Sequence, residues 1–410
     1  MSHPNLRLKM TMKNRFCFVM AVALLVLLLS SGSAMAYTVR GDFKDAPYTA
    51  SLSTGGDLLT IINGTCGGVM GSVYDKNNYY PPELQINPTN HNWVEGDYVL
   101  VTGQNGETAL YSYGELDTKF AQGNTVTLTE QNNGQVDLAG LGREIKDVNS
   151  IDVVHAVDVV KGGTRFYSQQ FIVSGEGITP KVLNLSDLQG MTQVTSRIKN
   201  TKNNVTTDWT GPTLLSTLKA SGVNTTDMTS YVVVSGPDGF ATVLSMYEAT
   251  HALSGLYSDP AYSQYDMLAI TGDNTLNVAK NESDNGFARL VIPGDNVNGR
   301  WTSNVYQIVV YDLTSSSTPA PSSDASFVAT PTNAEKGSAV KFTVTPASGK
   351  IISSAWWSFD ATTHMNTWNS RAVNPTFFYP RAGTFTPLVK LTYTDGSTET
   401  VQLTDYIQAT

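Results

Sequence analysis

Tyr231–Ala249 reads YVVVSGPDGFATVLSMYEA, and Tyr98–Leu116, 133 positions earlier, reads YVLVTGQNGETALYSYGEL and aligns with it without a gap. In both copies an apolar run ends in a small residue and glycine, Thr102-Gly103 or Ser235-Gly236. A turn pair follows, Asn105-Gly106 or Asp238-Gly239, and such pairs supply the positive φ values of a tight hairpin. Each copy closes on Ser-x-x-Glu, Ser112 to Glu115 and Ser245 to Glu248, the pattern of a capping box that opens a short helix. Strand, turn, strand and capped helix therefore recur in order, which predicts two related units in tandem.

Outward from the first copy, a unit over 37–177 ends in the strand pattern IDVVHAVDVV. There Ile151, Val153, His155, Val157 and Val159 share one face, with Asp152 and Asp158 on the other. The second unit, 178–313, opens with KVLNLSDLQGM, a strand and a turn of helix capped by Ser186. It continues through TGPTLLSTLKASGV, a short helix closed by Gly222, and the strands FARLVIPGD and NVYQIVVYDL. Alternating short strands and helices predict an α+β class for both units. A Ser/Pro linker, 314–325, stiffened by Pro319 and Pro321, leads to 326–410, where alternating Val, Thr and Phe predict a small all-β sandwich.

At the amino end, Arg7, Lys9, Lys13 and Arg15 precede an apolar run from Phe16 to Leu29 and an Ala34-Met35-Ala36 exit, the pattern of a secretory signal over 1–36. Export is the expectation, with a secreted or cell-surface, extracytoplasmic location and no membrane span after signal removal. Loss of those four basic residues takes the formal charge from −9 to −13. A chain that acidic is a poor partner for nucleic acid, which requires basic patches. Cys66 is then the one remaining cysteine, so no intrachain disulfide forms and the units stand on their hydrophobic cores. Sequons at Asn63, Asn184, Asn204, Asn224 and Asn281 make the expected product a glycoprotein.

WWSFD at Trp356–Asp360 and NPTFFYPRAGTFTPLVKLTYTDGS at Asn374–Ser397 resemble the signatures of the PKD family. The resemblance implies an immunoglobulin-like spacer or adhesion module without catalysis, with Trp356 and Phe359 as core anchors and Trp357 or Trp368 as candidate sugar-stacking groups. It departs at Asp360-Ala361-Thr362, where the family has a Gly-Asp-Gly turn.

LSDLQGM, DWTGPTLLSTLKASGV, VVVSGPDGFATVLSMYEA and ARLVIPGDNVNGRW, in that order, resemble the molybdopterin-binding domain of the sulfite-oxidase superfamily. The first unit keeps the central repeat, a weaker LGREI at Leu141–Ile145 and the last strand, as a diverged copy. In that family a cysteine thiolate ligates molybdenum from the stretch before the Trp-x-Gly motif. The corresponding TQVTSRIKNTKNNVTTDWTG contains none, and Cys66 lies in an unmatched context. The resemblance then implies cofactor-binding positions at Arg197, Asp238, Gly239, Arg289 and Arg300, since guanidinium forks suit phosphate and pterin edges. Against this stands an ordinary reading in which Arg289 pairs with Asp238 or Asp295 and Arg300 faces solvent.

The mature histidines, His91, His155, His251 and His364, show no ligand spacing, and His155 reads as a core histidine. Asp152/Asp158 and Glu282/Asp284 are acidic pairs without a calcium-loop pattern, and no nucleophile elbow, phosphate loop or dinucleotide fingerprint is present. The sequence thus predicts a non-catalytic, extracytoplasmic binding or structural protein. Its expected partners are cell-envelope proteins or glycans, and it needs no cofactor and no metal. The alternative is an extracytoplasmic oxidoreductase holding molybdopterin or another anionic cofactor without Cys ligation.

Overall fold

Two five-stranded sheets carry the two copies of the repeat. The computed structural model describes residues 37–43, 46–65, 96–118, 120–121, 125–157, 168–175, 178–200, 204–236, 240–272, 286–313, 324–335, 338–361, 370, 372–379 and 382–410. The predicted signal, Cys66, Asp238, Gly239, Asn281, Glu282, Asp284, Asp158, His91, His364, Trp368 and most of the linker lie outside them.

The first sheet consists of β1 (Tyr37–Phe43), β2 (Ala46–Leu52), β3 (Asp97–Gly103), β4 (Thr108–Ser112) and β5 (Val148–His155), in the order β2-β1-β5-β3-β4. The second consists of β6 (Gln170–Gly175), β7 (Ile178–Asn184), β8 (Ser230–Ser235), β9 (Ala241–Ser245) and β10 (Gln307–Asp312), in the order β7-β6-β10-β8-β9. In each sheet the first strand runs parallel to the last, and every other pair is antiparallel. Order and sense therefore coincide strand for strand. The expected division at 177 falls inside the β6–β7 hairpin, so β6 belongs to the second sheet.

Strand dominates the protein, and the architecture is mostly β rather than an even mixture. The helices are one or two turns long. They include Leu58–Thr65, Leu185–Gln189, Leu214–Ala220, and the two that follow the repeated hairpins, α1 (Tyr113–Leu116) and α2 (Met246–Thr250). Helices this short are marginal alone and persist through caps and packing. Asn184, rather than Ser186, caps Leu185–Gln189, its Oδ1 accepting from the Ser186 and Asp187 amides at 2.8 and 3.2 Å. Among the described residues no helix is long and apolar enough to cross a membrane.

Side-chain alternation along the central strands explains their unbroken apolar runs. Val99 and Val101 of β3 point into the core of the first unit, and Val232 and Val234 of β8 into that of the second. Tyr98, Leu100, Tyr231 and Val233 point the other way, into one continuous core shared with the C-terminal sandwich. A sheet covered on both faces needs apolar residues at every position, not at alternate ones.

The sandwich is built from strands between Ser326 and Ala409. Its centre is Trp357, fully buried against Phe327, Phe342 and Phe359, with ring centroids 5.0, 5.1 and 5.8 Å away. Trp356, the expected anchor, is its half-buried neighbour on the opposite face of Ile352–Ser358, so strand parity reverses the two tryptophans and removes Trp357 from any sugar-stacking role.

The sandwich is not a detached spacer. Ser353 Oγ donates to Asp152 Oδ1 at 3.0 Å, and the Val373 and Asn374 amides donate to the His155 and Ala156 carbonyls at 3.0 and 3.2 Å. Lys341 Nζ donates to Gln307 Oε1 of β10 at 3.2 Å, and burial pushes this ammonium down to about 8. Contacts to β5 and to β10 make the sandwich a bridge across both sheets. Asp152, an acidic candidate in the sequence, is fully buried, and the Arg40 fork holds it at 2.8 and 3.1 Å.

Candidate functional site: a buried charge cluster between the repeats

The two Ser-x-x-Glu segments meet face to face. Ser112 Oγ accepts the Glu115 amide at 3.0 Å and the Glu115 carboxylate returns to the Ser112 amide at 2.8 Å, a complete capping box on α1. On α2, Ser245 Oγ accepts the Glu248 amide at 3.0 Å, but the Glu248 carboxylate does not return. It crosses to the other unit instead, where Ser112 Oγ donates to it at 2.6 Å. Only half of the second predicted box forms, because its carboxylate is needed at the interface.

An arginine stands behind each glutamate. Arg143 grips Glu115 with two hydrogen bonds of 3.1 and 2.8 Å, donates to the Leu110 carbonyl, and reaches Ser245 Oγ of the other unit at 3.4 Å. Its guanidinium lies between the rings of Tyr111 and Tyr247, 3.9 and 4.4 Å from their centroids, one from each unit. Arg300 bonds Glu248 through Nη2 and Asp295 Oδ1 through Nε and Nη2, at 3.0 and 2.6 Å for the aspartate. Gly114 makes room for it, since a Cβ there would stand 2.5 Å from Arg300 Nη1. Gly142 adopts φ 70° directly against Tyr247, so these two close approaches between the units pass over glycine.

The electrostatics are unbalanced. Glu115, Glu248, Asp266 and Asp295 are all buried, at 2 % exposure or less, around two guanidiniums. Burial pushes the Asp295 carboxyl up to about 7 against the pull of Arg300. Burial also raises Glu248, again opposed by Arg300, and lifts Asp266 well above the usual carboxylate range, with the Glu248 charge adding to the effect. Asp266 Oδ2 and Arg300 Nη1 are buried and make no hydrogen bond among the described residues. Two guanidiniums face four buried carboxyls, so burial favours the neutral form of the acids in excess.

Of the predicted cofactor positions, the three described arginines have separate surroundings. Arg197 lies on the hairpin Gln193–Lys199/Thr206–Pro212, exposed and doubly bonded to Asp208 at 2.7 Å, with its guanidinium 4.2 Å from the Tyr262 ring. Its neighbour in the pairing, Trp209, points to the other face and is buried. Arg289, half-buried, lies on that inner side, 5.4 Å from the Trp209 ring and 5.7 Å from the Trp301 ring. Arg300 turns toward Gly114 of the first unit and is 1 % exposed, which overturns the expectation of a solvent-facing side chain. Asp295, expected beside Arg289, bonds Arg300. Two of the three arginines already hold internal carboxylates, so they do not fit an anionic cofactor. Arg197→Ala is expected to leave the thermal midpoint unchanged, because an exposed pair contributes little; a scanning melt of both proteins checks it.

Of the sequons, Asn184, Asn204 and Asn224 are exposed, while Asn63 is half-buried and accepts a hydrogen bond from Tyr113 at 3.1 Å. His155 is a core histidine, its Nδ1 2.6 Å from Asp97 Oδ1 with both side chains buried. Among the described residues no group of three or more His, Cys, Asp or Glu side chains is placed to hold a metal ion. Sequence reasoning missed the roles of Arg143 and Asp266 and gave Asp295 a different arginine. A signal existed for the first, since Gly142-Arg143 and Gly299-Arg300 repeat a dipeptide downstream of each Ser-x-x-Glu.

No family model matches the chain, and no curated protein matches it. Among solved structures it is similar to the sulfane dehydrogenase SoxCD from Paracoccus pantotrophus, at 12% identity over 68% of this chain and 78% of that one, with a TM-score of 0.27. Over a small part of the chain it is similar to the PKD1 domain of the Vibrio cholerae metalloprotease PrtV, at 25% identity over 20% of this chain and 94% of that one, with a TM-score of 0.17. It is likewise similar to the PKD1 domain of Vibrio anguillarum Epp, at 23% identity over 21% of this chain and 93% of that one, with a TM-score of 0.17.

Proposed function

We propose that this chain is an exported, non-catalytic binding or structural protein of the cell envelope. Two tandem units of the molybdopterin-domain type form its scaffold, and a PKD-type sandwich is fastened across both. The observation that carries the reading is the position of Arg300: the guanidinium expected to meet an anionic cofactor bonds Glu248 and Asp295 at the contact between the units. With Nε and Nη2 so engaged and the whole side chain buried at that contact, the guanidinium presents no open fork to a phosphate. The absent thiolate before Trp209 supports the same reading, because molybdenum favours a soft ligand. Its partners are then envelope proteins or glycans met by the outer surfaces, with the acidic coat keeping the body soluble outside the cell.

Elemental mass spectrometry on protein purified from its native envelope, with a fluorescence assay for released pterin on the same sample, tests this. The expected result is neither molybdenum nor pterin. One molybdenum per chain with pterin would overturn the proposal and redirect attention to Arg289.

A further inference from the structure

The contact between the two units has an arrangement that a purely structural ion pair does not require. A one-to-one pairing of Glu115 with Arg143 and Glu248 with Arg300 would be neutral. Asp295 and Asp266 are added to it, and both are buried in the same region. Asp266 is oriented by its own main chain, whose carbonyl accepts the Leu214 amide at 2.7 Å, while its Oδ2 makes no hydrogen bond among the described residues. The groups around it come from every element packed there: Glu115 of α1, Glu248 of α2, and Asp295 and Arg300 from the segment after Arg289–Val291. Arg143, Tyr111 and Tyr247 enclose the Glu115 side.

We propose that this cluster is a proton-dependent latch between the two repeat units, closed when Asp266 and the carboxyls in excess of the two guanidiniums are neutral and loosened when they ionise. The geometry favours a latch over a permanent bond because the Glu248 carboxylate reaches across to Ser112 of the other unit while the remaining acids crowd behind it. Ser112 to Glu248, Arg143 to Ser245 and Asn296 to Thr118 are side-chain hydrogen bonds that cross, beside the Asn296 amide to the Phe120 carbonyl, and in the loosened form water reaches the acids behind them. The raised carboxyls give the direction. Asp295, held near 7 when closed and near its ordinary value of 3.8 when solvated, binds its proton more tightly in the closed form. The closed form therefore gains below neutrality and loses as pH rises through about 7, the opening constant growing about tenfold per pH unit for each such group over that window.

Hydrogen exchange of the full chain, corrected for intrinsic base catalysis, reads this at the Ser112, Glu115 and Glu248 amides, with the Trp357 amide as an internal reference. Between pH 5 and pH 7 the three cluster amides are expected to lose at least tenfold more protection than Trp357. Asp266→Asn, an isostere of the neutral acid, should fold, match the parent at pH 5 and flatten the pH dependence. An equal slope at all four amides of the parent, or an unchanged slope in Asp266→Asn, overturns the latch. Should the variant not fold, infrared spectroscopy of the parent decides: a carbonyl band of a protonated carboxyl at neutral pH is expected, and its absence overturns the proposal.

Discussion

Replacing Arg300 by methionine is expected to lower the unfolding free energy by about 3–5 kcal/mol, the effect of leaving buried carboxylates without their cation. Methionine roughly conserves the volume beside Gly114, so the loss reports charge rather than a cavity. The sign of its pH dependence follows from the same geometry. Without Arg300, the carboxyls of Glu248 and Asp295 rise further above their unfolded values, and that penalty is absent below about pH 4, where both states are protonated. Denaturant titrations should therefore show a larger loss at pH 8 than at pH 5. Adding Glu248→Gln and Asp295→Asn should recover much of the stability, because neutral amides need no counter-ion. A loss below about 1 kcal/mol at pH 8 would place the cluster in the solvated regime of surface ion pairs and remove its role in joining the units.

The repeat was legible because it is local. Asn105-Gly106, Ser112 and Glu115 act within a few residues of one another, and the strands and short helices they predict are present at Asp97–Leu116 and again at Ser230–Thr250. The balance of strand to helix was misjudged for the same reason. Leu214–Ala220 has a helical pattern of only seven residues, whereas strands such as Gln170–Gly175 are recognisable only once β10 is available to pair with them. The site was hidden more deeply. Glu248 satisfies a local rule in the sequence and breaks half of it in the structure, because Ser112, 136 residues away in the chain, and Arg300, 52 away, compete for its carboxylate. No pattern within a short window contains that competition. A resemblance to a cofactor-binding family drew Arg197, Arg289 and Arg300 together, but Arg197 pairs across its own hairpin, Arg289 lies near the Trp209 and Trp301 rings, and Arg300, at the end of a single helical turn, bonds Glu248 and Asp295.

The sandwich offers the second large effect, because its tryptophans separate packing from position in sequence. Trp357→Ala is expected to cost about 3–5 kcal/mol, the range for emptying an aromatic site in a core that cannot fully collapse. The Ala372 carbonyl would also lose its indole donor, now at 2.9 Å. Trp356→Ala, one residue earlier and half-buried, should cost clearly less. The shape of the unfolding curve carries more information than its midpoint. Were the sandwich a spacer hinged on its linker, Trp357→Ala would melt a C-terminal unit alone and split the transition in two. Phe327 and Trp357 instead share a continuous apolar core with Tyr98 and Tyr231, and Ser353 and Val373 bond directly to Asp152 and His155. A single transition, displaced as a whole and accompanied by faster exchange at the amides of β3 and β8, is the outcome that this shared core requires.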